Sequence, residues 1–386
     1  MKGLLKHIRV LDLSRLIPGA QCTQLLVDLG ARVLKVEEPL RGDYMRELNP
    51  HVFHAMNRNK MSMTLNLKHP RGKEIFFRLV KANDVLLESF RPGVMERLGL
   101  GYETVKDVNR GMVYCSLSGY GQSGPYRLRS GHDINYLSIS GVLGLTADPG
   151  ELPVVLPLPL ADLAGSVMAS HAILAGLLAR ADSGTGCYVD AAMMDASLSL
   201  MSARLAAGLG KGKTTRSDLI RGGGYDVYQT RDGRYISLGV IEDRFWRNLV
   251  RAIGREDMAR DSRFVTDGLR TENRQAIREV LGPILVEKDL AEWMPLFDRE
   301  DVPVAPVNYL DEVENDPQVA HRGLMFDLAD ETGHPFKQVD YPAIFPDQKE
   351  VEDRPAPTKG RDTREVLQNL GFEEDEIQSF ADSGVI

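Results

Sequence analysis

Residues 8–39 read IRVLDLSRLIPGAQCTQLLVDLGARVLKVEEP, and their rhythm decides the fold. Residues 8–14 are an apolar, partly β-branched run, the signature of a strand. Residues 22–30 place leucines and valine at helical spacing and end in Gly30, a residue suited to closing a helix. Residues 31–39 form a second strand, stopped by Pro39. Two strands joined through a helix predict a βαβ unit and a parallel sheet.

The theme recurs. MSMTLNL (61–67), the helix GKEIFFRLVKAN (72–83) and the strand DVLLESF (84–90) repeat it. A helix around ETVKDVN (103–109) and the run MVYCSLSGYG (112–121) continue it. Such alternation defines an α/β class with helices on both faces of a sheet. The first strand-to-helix turn, SRLIPGAQ, holds no GxGxxG, and no phosphate-binding P-loop occurs, so no nicotinamide or flavin cofactor is expected.

A chain of 386 residues exceeds what one core usually supports. Residues 1–203 are expected to begin a large α/β domain and residues 204–224, rich in Gly, Lys and Thr, to form a linker. Residues 225–315 would form a smaller domain opened by a hairpin turning at Arg231, Asp232 and Gly233. Residues 316–386 would return to complete the large domain. A net charge of -8 argues against a nucleic-acid partner. Three cysteines without CxxC spacing fit a reducing compartment and argue against a structural zinc site, so no metal is expected. The most apolar run, residues 167–179, reads as too short to span a membrane and holds Ser170 and His171. The N-terminus lacks a signal-peptide pattern, and the cytoplasm is the default location.

Three acid-base candidates stand out. His132 lies in SGHDINYLSISG (130–141) at an expected helix start, with Asp133 beside it as the natural cap. Asp162 lies in PLPLADLAGSVM (157–168), just before an apolar, small-residue helix that it is placed to cap. Glu242 lies in LGVIEDRFW (238–246), past the end of a strand, where it or Asp243 would cap a helix. Each has an ordinary structural reading. The chemical reading is that a helix start exposes unpaired N–H groups and a partial positive charge that can hold an oxyanion. Ala164, Gly165, Ser166 and Ala169 would let a ligand approach the Asp162 helix closely. An acid there is either a nucleophile or a general base. Lys68, Arg71 and Lys73, with Arg91, Arg97 and the flat Phe90, suit a ligand bearing phosphates and an adenine. Met193, Met194 and Met201 are candidates for an acyl path, although methionine in a helix is more often core.

DLGARVLKVEEP, NLKHPRGK, DVLLESFRPGVMERLGLGYE, SLSGYGQSGPY, GHDINYLSISGVLG and ADLAG occur in this order. In that series the chain resembles the family III CoA-transferases and their relatives, the α-methylacyl-CoA racemases, from about residue 4 to 370. The resemblance implies a Rossmann-like large domain, a smaller α+β domain and an interlocked homodimer, with each active site between the large domain of one copy and the small domain of the other. It implies an acyl-CoA substrate and no cofactor beyond the coenzyme A of that substrate. It assigns coenzyme A contacts to Leu65, Asn66 and Lys68, to Ser89, Phe90 and Arg91, to Arg97, and to Ser130 and Asp133.

In the transferase branch the aspartate matching Asp162 is a nucleophile. In the racemase branch it is one acid/base, and the histidine matching His132, paired with a glutamate matching Glu242, is the other. GHDINY matches the racemase phrase, Glu242 stands where transferases often carry asparagine, and Ile17 replaces the glutamine of oxalate-specific transferases. Leu158, where racemases have asparagine, and the EDRFW phrase point the other way. The expectation is a racemase acting on 2-methyl-branched acyl-CoA, with His132 and Asp162 on opposite faces of the carbon. N–H groups at the start of the Asp162 helix would hold the enolate oxygen.

Overall fold

A computed structural model describes residues 3–209, 215–220, 222–347 and 353–386. The chain divides into two compact units, Met1–Ala207 with Ala320–Ile386, and Gly208–Val319.

The first unit is built on a six-stranded sheet of β1 (Arg9–Asp12), β2 (Arg32–Glu37), β3 (Met61–Thr64), β4 (Val85–Glu88), β5 (Val113–Ser118) and β6 (Tyr188–Ala192). Their spatial order is β3-β2-β1-β4-β5-β6, and every pair is parallel. Side chains alternate between two cores, as a doubly covered sheet requires. Of the helices α1 (Leu16–Asp28) and α2 (Pro70–Ala82), the second supplies Ile75, Phe76 and Leu79 to one core, which Leu11, Leu34 and Leu86 face. Val10, Val33 and Val85 face the other, covered by Cys22, Leu26 and Val27 of α1. Two further helices belong to this second layer: α3 (Asp133–Ile139) contributes Tyr136 and Leu137, and α4 (Leu160–Ser183) contributes Ala161, Ala169 and Ile173.

The α1 helix begins at Leu16, six positions before the expected start, because Pro18 sits in its first turn, where a missing N–H costs nothing. Gly19 is required there: a Cβ would lie 2.0 Å from the Ser14 Cβ. Apolar and 24 residues long, α4 has the length and composition to cross a bilayer, unlike the 167–179 run read in isolation. It packs Ala161, Ala169 and Ile173 into the second core, and Arg180 near its end pairs with Asp84 at 3.0 Å.

Strand β3 lies at the edge of the sheet. Its outward Ser62 and Thr64 N–H groups donate to Asp362 Oδ2 (2.7 Å) and Thr363 Oγ1 (3.1 Å), so the edge is covered. The second unit carries the antiparallel sheet β7 (Tyr225–Gln229), β8 (Tyr235–Gly239) and β9 (Val304–Pro306), with the hairpin turning between β7 and β8. Its helix α5 (Asp243–Ala252) packs Trp246 into a core with Trp293 and Phe297. Within residues 204–224 helices Ser202–Leu209 and Arg216–Leu219 stand where a linker was expected, while residues 210–214 and 221 lie outside the described residues.

Candidate active site

In a sheet of this order the connections from β1 and β4 leave in opposite directions, opening a crevice at their carboxyl ends. A cavity of about 250 Å³ lies there. Arg15 and Leu16 follow β1, Ser89, Phe90 and Arg91 follow β4, and His132 and Asp162 complete the wall.

The loop after β1 rests on buried charge. Lys35 Nζ pairs with Asp43 at 2.9 Å and donates to the Ser14 carbonyl at 3.0 Å. Burial opposes the Lys35 charge, but Asp12, Asp43 and Glu37 outweigh it and hold its pKa above the ordinary value. Lys60 Nζ donates to Thr23 Oγ1 (2.8 Å) and the Ala20 carbonyl (2.9 Å), and burial lowers its pKa to about 8. Leu16 has φ +63, a left-handed conformation costing about 1–3 kcal/mol. Its N–H donates to Asp43 Oδ1 at 3.2 Å, so the Lys35–Asp43 pair holds the strained turn in place.

His132 is exposed at the N-cap position of α3, and its backbone N–H donates to Asn135 Oδ1 at 3.0 Å. Tyr136 donates to the Gly131 carbonyl at 2.7 Å, and its ring meets Tyr120 edge-on with centroids 5.0 Å apart. A Cβ on Gly131 would lie 2.8 Å from the Tyr120 hydroxyl, so only glycine lets the His132 loop sit on these rings.

Asp133 is not the cap of its own helix. Its Oδ1 accepts the N–H groups of Ala161 (2.6 Å) and Asp162 (3.1 Å), capping α4 from a distance in sequence. Pro159, not Asp162, occupies the N-cap position of α4, and Asp162 sits in the first turn. The Leu160 and Leu163 N–H groups bond to Leu158 and Pro159 carbonyls. The helix start expected to receive an enolate oxygen is therefore already occupied. The small residues of α4 also serve packing: a Cβ on Gly165 would lie 2.6 Å from Met193 Cγ. Met193 itself lines the cavity.

The Asp162 carboxylate accepts no hydrogen bond among the described residues. Burial, and secondarily the Asp133 charge, push its pKa up to about 7. The carboxylate acts in turn on Tyr136, whose phenol burial and Asp162 together raise to about 12.

Of the coenzyme A positions expected from the sequence, Ser89, Phe90, Arg91 and Ser130 line this cavity, and Arg91 donates to Ser130 Oγ at 2.8 Å. Leu65 is buried in the core. Asn66 donates its backbone N–H to the Val385 carbonyl (2.7 Å) and its side-chain amide to Gly384 (3.2 Å). The Lys68 N–H donates to Asn66 Oδ1 (3.1 Å), and Arg97 is exposed beside Gly93. Arg71 pairs with Glu74 at 2.6 Å.

Glu242 belongs to the second unit, exposed at the N-cap position of α5. Its turn is braced by buried Arg270, which donates to the Ile241 carbonyl (2.7 Å) and pairs with Asp243 (2.8 Å). Sequence reasoning passed over Arg15, Arg127 and Arg129, which also line the cavity. The position of Arg15 directly after the first strand, and the RLRS run before His132, were the available signals.

A model of CoA-transferase family III matches residues 5–363. The chain is 36% identical to an acyl-CoA transferase of Fusarium pseudograminearum, over 100% of this chain and 89% of that protein. It is 34% identical to the human α-methylacyl-CoA racemase, over 99% of this chain and 97% of that one. A CAIB/BAIF family protein from Brucella suis superposes with a TM-score of 0.84 at 29% identity, covering 96% of this chain and 100% of that one. The chain belongs to CoA-transferase family III, an enzyme family whose members include both transferases and racemases.

Proposed function

We propose that the protein is an acyl-CoA racemase that epimerises the α-carbon of 2-methyl-branched acyl-CoA thioesters. The observation that carries this reading is that His132 and Asp162 line one cavity, with the Asp162 carboxyl raised to about 7 by burial. A carboxyl of that pKa exchanges protons near neutral pH in either direction, as a two-base reaction needs. Asp162 takes the α-proton, and the C–H electron pair forms the enolate as the thioester carbonyl becomes an oxyanion. The imidazolium of His132 delivers a proton to the opposite face, the carbonyl re-forms, and the reverse direction exchanges the two roles.

Because Asp133 occupies the N–H groups at the start of α4, the enolate charge would be met by the arginines of the cavity wall, Arg91 among them. The chain would act as a homodimer, with Glu242 from a second copy orienting His132. No cofactor beyond the coenzyme A of the substrate takes part.

A second reading is CoA transfer through an Asp162 acyl anhydride. Its support is that the Asp162 carboxylate carries no hydrogen bond among the described residues, leaving both oxygens available for attack, and that the Fusarium relative is named a transferase.

The two part in one experiment. A chiral 2-methylacyl-CoA is incubated in heavy water with and without an acceptor acid. Deuterium at the α-carbon with loss of chirality, independent of acceptor and abolished by His132→Ala, is the racemase outcome. Coenzyme A appearing on the acceptor, with a hydroxylamine-sensitive adduct on Asp162, would overturn it.

A further inference from the structure

A second cavity, of about 480 Å³, lies at the opposite end of the sheet, where β1 and β2 begin. Its floor is the margin of the first core: Leu34, Met61, Leu79, Val366 and Leu370. Arg9 and Arg32, the first residues of their strands, stand at its mouth, both exposed. All of these residues belong to the first unit, and none of them lines the cavity that holds Asp162. Strand β1 joins the two cavities, with Arg9 at its start and Arg15 just past its end.

The two arginines are register partners on neighbouring parallel strands. Side chains alternate along a strand, so Arg9 leaves on the face of Leu11 and Arg32 on the face of Leu34, which is one and the same face. Their roots lie about 4.8 Å apart, the spacing of adjacent strands, and like charges so placed repel unless an anion sits between them. Among the described residues no carboxylate does so. Neither guanidinium forms a salt bridge there, and Arg9 Nη1 donates only to the Ala82 carbonyl, at 3.4 Å. Asp84 is engaged otherwise, its two oxygens taking the Arg9 backbone N–H at 2.8 Å and Arg180 at 3.0 Å. Glu365 also lines the cavity and offsets only one of the two positive charges.

The lining selects a ligand by its two ends. Paired guanidiniums present planar forks that match the oxygens of a carboxylate. The floor is aliphatic, and no aromatic ring lines the cavity, so a nucleotide base would find nothing to stack on. A flexible alkyl chain, by contrast, packs well against leucine, valine and methionine.

We propose that this cavity is a second binding site, which takes a free medium-chain fatty carboxylate. Its head bridges Arg9 and Arg32, and its chain lies over Leu34, Leu79 and Val366. This ligand carries no coenzyme A and meets no group of the candidate active site. The inference therefore holds whichever reaction the Asp162 cavity performs.

The test is titration calorimetry on the purified full chain with octanoate, its neutral counterpart 1-octanol, and acetate, which has the head without the chain. Octanoate should bind about 10- to 100-fold more tightly than octanol, the range of one or two charge-assisted hydrogen bonds. Acetate should bind more weakly than octanoate, because it leaves the apolar floor uncovered. Arg9→Gln and Arg32→Gln should each erase the preference for octanoate over octanol while leaving the affinity for coenzyme A within about twofold. Each substitution also relieves the contact between like charges. The melting temperature of the ligand-free protein should therefore stay level or rise, and octanoate should raise it further only in the parent. Octanoate binding that survives both substitutions would lie elsewhere and overturns the proposal. Equal affinities for octanoate and octanol overturn it too, as does failure of octanoate to bind. A lower melting temperature in either variant does the same, since it would make that arginine a residue of the fold rather than one awaiting an anion.

Discussion

Asp133 caps the helix that carries Asp162, accepting the Asp162 N–H at 3.1 Å and the Ala161 N–H at 2.6 Å. Two carboxylates 29 positions apart are thereby coupled. Asp133 fixes the turn bearing Asp162, and its charge disfavours ionisation of the Asp162 carboxyl.

Asp133→Asn separates these roles. An asparagine oxygen can still accept both N–H groups, so the turn stays in place while the charge is lost. With burial remaining as the main cause of the raised pKa, the acid limb of the pH–rate profile should move down from about 7 by a fraction of a unit. Deuterium exchange from pH 5 to 9 measures it. An unmoved limb with reduced rates at every pH would mean that Asp133 acts only through position.

Asp162→Asn should abolish α-proton exchange and also change stability in a pH-dependent way. The folded pKa of about 7 lies above the ordinary aspartate value of 3.8, so the folded state binds the extra proton. Stability of the parent therefore falls as pH rises between about 4 and 7 and levels off above that. The variant lacks this penalty. Its advantage in urea denaturation should grow over that window and reach roughly 1–3 kcal/mol at pH 8, allowing for the carboxyl's partial exposure. A constant difference across the window would contradict the raised pKa.

Lys35→Met should destabilise by about 3–5 kcal/mol, because it leaves Asp43 buried without its paired cation and Asp12 with Lys60 alone. Asp43→Asn should cost less, on the order of 1–2 kcal/mol, since its oxygen can still receive the Leu16 and Met45 N–H groups. Denaturant midpoints for the two variants rank them. The reverse order would mean that the Lys35 charge is not what holds the Leu16 turn.

The sheet was legible because βαβ periodicity is local: the runs 8–14, 31–39, 61–67 and 84–90 each contain a strand of the parallel sheet. The start of α1 was not, because Pro18 and Gly19 read as a turn until Ser14 is known to press against Gly19. At the site, His132 and Asp162 could be paired from matched phrases. Their caps could not. Asp133 looks like the cap of its own helix, and only the packing of α3 beside α4 shows that it closes the other. Arg15 stayed hidden for a similar reason. Its meaning depends on β4, not β2, lying on the side of β1 where Ser89 and Phe90 emerge, and strand order is not written in any local stretch.

The covered edge of β3 has a consequence for how the molecule is made. The residues that shield it, Asp362 and Thr363, follow the strand by 300 and 299 positions, with the whole second unit in between. During vectorial synthesis the second unit can close first, while β3 waits with its outer N–H and C=O groups bare. Nascent chains would spend that interval open to strand exchange with one another. Slow translation across residues 208–319 would lengthen the exposure, and a chaperone acting on this protein would do most of its work before residue 362 emerges from the ribosome.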